Sequence, residues 1–207
     1  MTPIPESPSL LMIVSGPAGS GKTTLCDRMV TETPGLQRIV TATTRPPREG
    51  EVDGVDYHFL SQDAFERGIE NEDFFEWARV HDRLYGCLKS EVRNKLSRRI
   101  DLLLNIDVQG AETFRRAVAE EPALRGRVIS VFVTPESTDV IRERLQARGQ
   151  DSAEEIERRI ANARGEIARW VDYDYSIVSR DRESDFLAIR SILRAEKVSN
   201  RRRVNPA

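Results

Sequence analysis

Lysine is nearly absent from this chain: of its 32 basic residues only Lys22, Lys89, Lys95 and Lys197 are lysine, and 28 are arginine. Against 34 acidic residues the formal charge is -2, which excludes a protein that coats a polyanion through bulk positive charge. The base composition of the source genome is one reading of the bias. The other is chemical, since arginine presents a planar fork to phosphate and lysine does not.

Cysteine is equally scarce. Cys26 and Cys87 are too few, and too far from any second cysteine or histidine pair, for a disulfide framework or a zinc site, which suits a reducing compartment. No apolar run approaches the roughly 18 residues of a membrane span, and the opening MTPIPESPS lacks the basic-then-apolar order of a secretory leader. Residues 1–9 are expected to form a loose tail and residues 199–207 a basic one, with the cytoplasm as the default address. What is present is 39% hydrophobic and 32% charged residues at a mean hydropathy of -0.50 over 207 residues. That is enough apolar pattern for one folded domain with insertions, and too polar for a membrane protein or a fibre.

Leu10 to Val14 is a short apolar run followed by glycine and proline, the pattern of a buried strand, and Lys22 to Thr31 reads as a helix stopped by Pro34. Apolar runs at Leu102 to Ile106, Val128 to Val133 and Ser176 to Val178 alternate with helical stretches at Ala111 to Glu120, Ser137 to Arg148 and Glu183 to Lys197. Such alternation predicts an α/β fold, a mostly parallel sheet flanked by helices. Two segments break it. From about Arg38 to Gly86, Pro46, Pro47, Gly50 and Gly54 interrupt any regular helix, and only Asp63 to Asn71 looks helical, which predicts an inserted β-rich lobe. The charged helical stretch Gln146 to Ile167, turned at Gly149 to Ser152, is where a lid would fit. The expected division is a core of residues 10–37, 88–145 and 168–198, a lobe of 38–87 and a lid of 146–167.

Gly16, Pro17, Ala18, Gly19, Ser20, Gly21, Lys22 and Thr23 satisfy the P-loop pattern, after a strand and at the opening of a helix as that motif requires. The glycines let backbone N–H groups converge on phosphate, the helix N-terminus adds partial positive charge, and Lys22 can bridge the β- and γ-phosphates. Gly16 to Thr24 are therefore the expected nucleoside-triphosphate-binding residues, with the Thr23 hydroxyl offered to Mg²⁺. Asp107, behind the apolar strand LLLN, can support the metal shell or an acceptor group; an isolated Asp at that place is also an ordinary helix cap.

The segments GPAGSGKT, TATTRPPREGEVDGVDYHF, FFEWARVHDRLYG and NIDVQGA, in this order, resemble the guanylate kinase family over Leu10 to Glu196. The resemblance implies transfer of the γ-phosphate of ATP to GMP on a P-loop core with a GMP-binding lobe and a lid. It implies that Arg45, Arg48, Tyr57 and Tyr85 hold the phosphate of GMP, that Glu76 reads guanine, and that Thr41, Cys87 and Asp107 complete that site. It also implies catalytic roles for Lys22 and for the lid arginines Arg144, Arg148 and Arg159. The chain departs from the family's usual pattern at Cys87 (usually Ser or Thr), at Asn105 (usually Asp) and at Ser179-Arg180 (usually Asn-Asp).

The residues make chemical sense without the resemblance. Arg45 and Arg48 flank two prolines in a stiff hairpin that can aim two forks at one phosphate. Guanine offers N1–H and N2–H₂ donors that a carboxylate accepts as a pair, and adenine offers no such pair. A phosphate acceptor is already anionic, so no general base is needed and His58 and His81 are expected to be structural. A plain alternative for the lid arginines is a salt-bridged surface helix, with Glu143, Glu154, Glu155 and Glu157 as partners. Two other functions remain open at this point: a P-loop kinase of another phosphorylated acceptor, such as a ribosyl bisphosphate, and a non-catalytic guanylate-kinase-like module that binds peptides. Small nucleotides are the expected partners, not a nucleic-acid polymer or a membrane, and the oligomeric state is unspecified.

Overall fold

The computed structural model of the chain describes residues 7–80, 82–149 and 152–202. In chain order, β1 (Leu11–Ser15) leads into α1 (Lys22–Glu32) and β2 (Leu36–Arg38). A second group follows: β3 (Ala42–Thr43), β4 (His58–Phe59), α2 (Gln62–Glu70), β5 (Phe74–Val80) and β6 (Arg83–Leu88). The chain then returns through α3 (Lys89–Ser97), β7 (Asp101–Asn105), α4 (Val108–Ala119), β8 (Val128–Pro135), α5 (Thr138–Arg148), α6 (Ala153–Ile167), β9 (Tyr175–Ser179) and α7 (Arg182–Val198).

The larger sheet has the order β2-β7-β1-β8-β9 and every pairing in it is parallel. All five residues of β1 are buried because helices cover both faces. Met12 and Val14 point to one side, against Leu25 and Met29 of α1 and Phe186 and Ile189 of α7. Leu11 and Ile13 point to the other, against Val92 and Leu96 of α3 and Phe114 of α4. Each large side chain fully removed from water contributes about 1.5–3 kcal/mol, so this two-sided packing holds the strand that feeds the phosphate loop. α3 is a helix that apolar spacing does not reveal, since only Val92 and Leu96 of its nine residues are buried.

The smaller sheet has the order β4-β3-β6-β5, with β3 parallel to β4 and β6 antiparallel to β3 and β5. The β5–β6 register shifts between Phe74 and Glu76, a bulge that breaks strict alternation and leaves Phe74, Phe75 and Glu76 all buried. Phe74 stacks on Phe65 of α2 at 4.4 Å, while Phe75 meets Phe114 of α4 at 5.2 Å and so fastens this sheet to the core. The crossing from β2 into β3 is clamped from α3: Val40 N donates to Glu91 Oε1 at 3.1 Å, and Lys95 Nζ to the Arg38 carbonyl at 3.1 Å. α5 and α6 share a cluster of their own, Ile141 and Leu145 against Ile156, Ile160 and Ala163.

Candidate active site

The phosphate loop leaves β1 through Gly16, which stands at φ +145°, and a Cβ there would lie 2.0 Å from the carbonyl oxygen of Val133 in β8. Only glycine allows so close an approach between the loop and the neighbouring strand. Lys22 Nζ arches back to donate to the carbonyls of Gly16 at 2.7 Å and Pro17 at 2.8 Å. Ser20 Oγ is buried without a hydrogen-bond partner among the described residues. Thr23 lies exposed on the first turn of α1 and accepts a hydrogen bond from Asn105 Nδ2, at the end of β7, at 3.3 Å. From α5, Arg144 Nη1 donates to the Gly19 carbonyl at 3.2 Å.

Beside this loop lies a cavity of about 600 Å³, lined by Thr24, Arg28, Arg144, Ser179, Arg180 and Asp185 among others. Ser179 is not idle at its wall: its Oγ donates to Asp185 Oδ2 at 2.6 Å, and Arg180 N donates to Asp185 Oδ1 at 3.2 Å. Glu166 of α6 also reaches the loop. Burial raises its carboxyl above the ordinary range, while Lys22 and the Ala18 N–H pull it back down.

In the connection from β3 to β4, Arg45 and Glu51 form an end-on pair, Nη1 to Oε2 at 2.9 Å and Nη2 to Oε1 at 2.7 Å. Arg48 N donates to the same Oε2 at 2.7 Å, and its side chain is exposed. The Arg45 bonds first, and then the Arg48 N–H, hold the Glu51 carboxyl down at about 2. The Arg45 guanidinium lies 5.4 Å from the Tyr57 ring centre with the Tyr85 hydroxyl nearby, and the two tyrosine rings meet edge to face at 6.2 Å.

Glu76 faces Cys87 across the β5–β6 ladder and is buried. Loss of water, then the charge of Asp107, pushes its carboxyl up to about 7, with the Cys87 N–H acting in the opposite direction. The Cys87 thiol is itself raised well above its usual range by burial and by the charge of Glu76. Asp107 caps α4, its Oδ1 accepting from Gly110 N at 2.8 Å, so the cap reading and the site reading describe the same carboxylate. Thr41 is half-buried and its carbonyl accepts from His58 N at 2.9 Å.

The fold thus gathers Lys22, Thr23 and Arg144 around the loop, Arg45, Tyr57 and Tyr85 with the Arg48 backbone at the β3–β4 connection, and Glu76 with Cys87 and the charge of Asp107. Arg159 pairs with Glu155 one turn back on its own helix, Nε to Oε1 at 3.3 Å. Arg148 closes α5 and its side chain lies outside the described residues, as does His81. Sequence reasoning passed over Glu51 and Glu166. The first had a usable signal, an acid six residues after Arg45 in the same turn-rich hairpin; the second had none, because its approach to the loop depends on how α6 packs.

A parallel sheet with a glycine loop between its central strand and α1, and a second sheet set between β2 and β7 that carries arginines and a buried acid, defines a P-loop nucleotide-binding protein. The guanylate kinase family model matches residues 9–196. A guanylate kinase of Maricaulis maris (strain MCS10) is 41% identical over 193 residues, covering 93% of this chain and 86% of that protein. The crystal structure of guanylate kinase from Anaplasma phagocytophilum aligns with a TM-score of 0.70 at 30% identity, over 97% of this chain and 92% of that one. A shikimate kinase from Acinetobacter baumannii shares the fold alone, with a TM-score of 0.50 at 14% identity over 93% of this chain and 97% of that one. The chain belongs to the guanylate kinase family.

Proposed function

We propose that the protein transfers the γ-phosphate of ATP to GMP, giving ADP and GDP. The observation that carries this reading is the buried Glu76, on a lobe that also holds the Arg45 fork, with Asp107 of the core beside it. A desolvated carboxylate is the acceptor that guanine's paired N1–H and N2–H₂ donors require. Thr41 and Cys87 border the base in this reading, and Arg45, Arg48, Tyr57 and Tyr85 take the phosphate. Cys87, buried and offering a weak thiol donor in place of a hydroxyl, softens one contact to the base.

The donor lies on the other side. The cavity beside the phosphate loop suits the nucleoside of ATP, and Gly16 to Thr24 cradle its phosphates. The attacking oxygen of GMP is already anionic, so the chain's task is in-line positioning and compensation of charge on the equatorial oxygens, by Lys22, Arg144, Arg148 and Arg159. Segments 38–87 and 146–167 serve as the acceptor lobe and the lid that close over the nucleotides and exclude water.

Mg²⁺ fits this site. The exposed Thr23 hydroxyl, on the first turn of α1, would hold an Mg²⁺ ion arriving with ATP, with phosphate oxygens and water completing its shell, the pattern Mg²⁺ adopts with nucleotides. Thr23 Oγ1 accepts from the Asn105 amide, which would leave its other lone pair for the ion, and Asp107, two residues after Asn105, would support the hydration shell. When bound, the ion neutralises charge developing between the β- and γ-phosphates. A cytoplasmic address is part of the same proposal; it is supported by the unpaired, buried Cys26 and Cys87.

The test is ADP release measured with GMP, AMP, CMP and UMP in turn. Turnover with GMP far above the other three is expected; equal rates with AMP would sink the Glu76 assignment.

A further inference from the structure

Arg45 has five N–H donors, and three of them donate to Pro46 and Glu51, with the Tyr85 hydroxyl a further hydrogen-bond partner of the guanidinium. Nη1 donates to the Pro46 carbonyl at 2.8 Å and to Glu51 Oε2 at 2.9 Å, and Nη2 gives one proton to Glu51 Oε1 at 2.7 Å. The other two donors, Nε–H and the second Nη2–H, lie side by side along the other edge of the planar group. That edge is a second fork, with the spacing that two oxygens of one phosphate match. Which way it faces is decided by Glu51, because an end-on bidentate contact fixes both the position of the guanidinium and its rotation about its own axis.

The same carboxylate reaches Arg48. Oε2 accepts the Arg48 backbone N–H at 2.7 Å, while Glu51 N donates back to the Arg48 carbonyl at 3.1 Å, closing the turn that carries both arginines. Both members of the Arg45–Glu51 pair are largely buried, with side chains 14% and 20% exposed.

We infer that Glu51 is a positioning residue for the acceptor's phosphate: it holds Arg45 end-on so that the Nε–Nη2 edge is presented to the ligand, and ties Arg48 to the same turn. The inference rests on the reading of Arg45 as a phosphate ligand. Glu51 itself touches no phosphate oxygen, because one carboxylate oxygen faces Nη2 and the other is shared by Nη1 and the Arg48 N–H. Its strongly lowered pKa keeps it ionised through the whole neutral range, so its action does not titrate with the reaction. A glutamine cannot replace it, since an amide has one acceptor oxygen for three donors and would turn its own NH₂ toward a guanidinium.

Steady-state kinetics of Glu51→Gln, with Arg45→Ala alongside, test this. Expected for Glu51→Gln is a KM for GMP raised roughly 10- to 100-fold, a KM for ATP changed less than about twofold, and an unchanged inhibition constant for guanosine, which has the base but no phosphate. An unchanged or lower KM for GMP, with Arg45→Ala still raising it, would overturn the role of Glu51 and leave the phosphate site intact. If guanosine weakens as much as GMP, Glu51 merely supports the lobe and the inference fails. If Arg45→Ala also leaves the KM for GMP unchanged, the phosphate site itself is misassigned.

Discussion

Glu76 on β5 feels the charge of Asp107, the residue that caps α4, strongly enough for it to help raise the Glu76 carboxyl. Burial is the larger cause, and together they push the Glu76 carboxyl up to about 7. Guanine needs the ionised form, because a protonated carboxyl gives up one of its two acceptor sites. Affinity for the base should therefore fall as pH drops below 7, approaching tenfold per pH unit. Guanosine isolates the effect from the titration of the GMP phosphate. Its inhibition constant should rise between about pH 8 and about pH 6, and Asp107→Asn should move the midpoint lower by removing the raising charge. A flat profile would show that Glu76 does not read the base.

The same shift makes a prediction for stability. The folded-state pKa lies above the ordinary 4.5, so the folded protein binds the extra proton; the stability this brings is fully present below about 4.5 and is lost as pH rises through about 7. The difference corresponds to about 3 kcal/mol for so buried a group. Glu76→Gln removes the penalty of an ionised, desolvated carboxylate. Urea unfolding should find this variant more stable than the parent by roughly 1–3 kcal/mol at pH about 8, with little difference at pH about 4, while GMP turnover collapses. Equal stability at both pH values would mean that Glu76 is solvated.

The core was readable because parallel strands covered on both faces are written as unbroken apolar runs: LMIVS, DLLLN and VISVFVTP each stand out, and the structure shifts their ends by only a residue or two. The phosphate loop was readable because its spacing is dictated by backbone contact with phosphate. Elements set by distant pairing were not. β3 and β4 have two residues each and exist only through contacts across the lobe, and α3 carries two apolar positions in nine with Leu88 as a capless N-terminal neighbour. The bulge that turns Phe75 toward Phe114 and buries Glu76 is likewise a matter of register, invisible until β6 is in place. Glu51 carried a signal in its spacing from Arg45, but whether an acid beside arginines is solvated or holds a guanidinium end-on depends on the turn between them.

Arg144 offers a prediction for the chemical step. It reaches the Gly19 carbonyl from α5, and its Nη1 lies 3.6 Å from where a Cβ on Gly21 would stand, which puts a guanidinium at the phosphate loop. Charge that develops during transfer should be stabilised by it more than charge on the bound substrates. Arg144→Ala is expected to lower kcat about 100-fold or more with the KM for GMP changed less than about threefold, and Arg144→Lys to recover only a minor part because an ammonium cannot fork. A raised KM at unchanged kcat would make Arg144 a binding residue only.

Asn105 gives the corresponding prediction for the metal. Its amide donates to Thr23 Oγ1 at 3.3 Å, so it occupies one lone pair of the hydroxyl that would face Mg²⁺ and leaves the other for the ion. An aspartate at this place would reverse the bond: the hydroxyl would donate to the carboxylate, both Thr23 lone pairs would be left to the metal's side, and a full negative charge would stand at the edge of the hydration shell. Coulomb attraction for a divalent ion a few ångströms away outweighs the screening of a partly exposed side chain, whereas the added repulsion acts on ATP only weakly once its phosphates are neutralised. Asn105→Asp should therefore lower the free Mg²⁺ needed for half-maximal rate, roughly threefold or more, at a KM for ATP changed less than about twofold when Mg²⁺ saturates. Asn105→Ala, which frees Thr23 without adding charge, should leave the Mg²⁺ requirement near that of the parent. If Asn105→Asp and Asn105→Ala behave alike, the position acts through the geometry of Thr23 and not through charge near the ion.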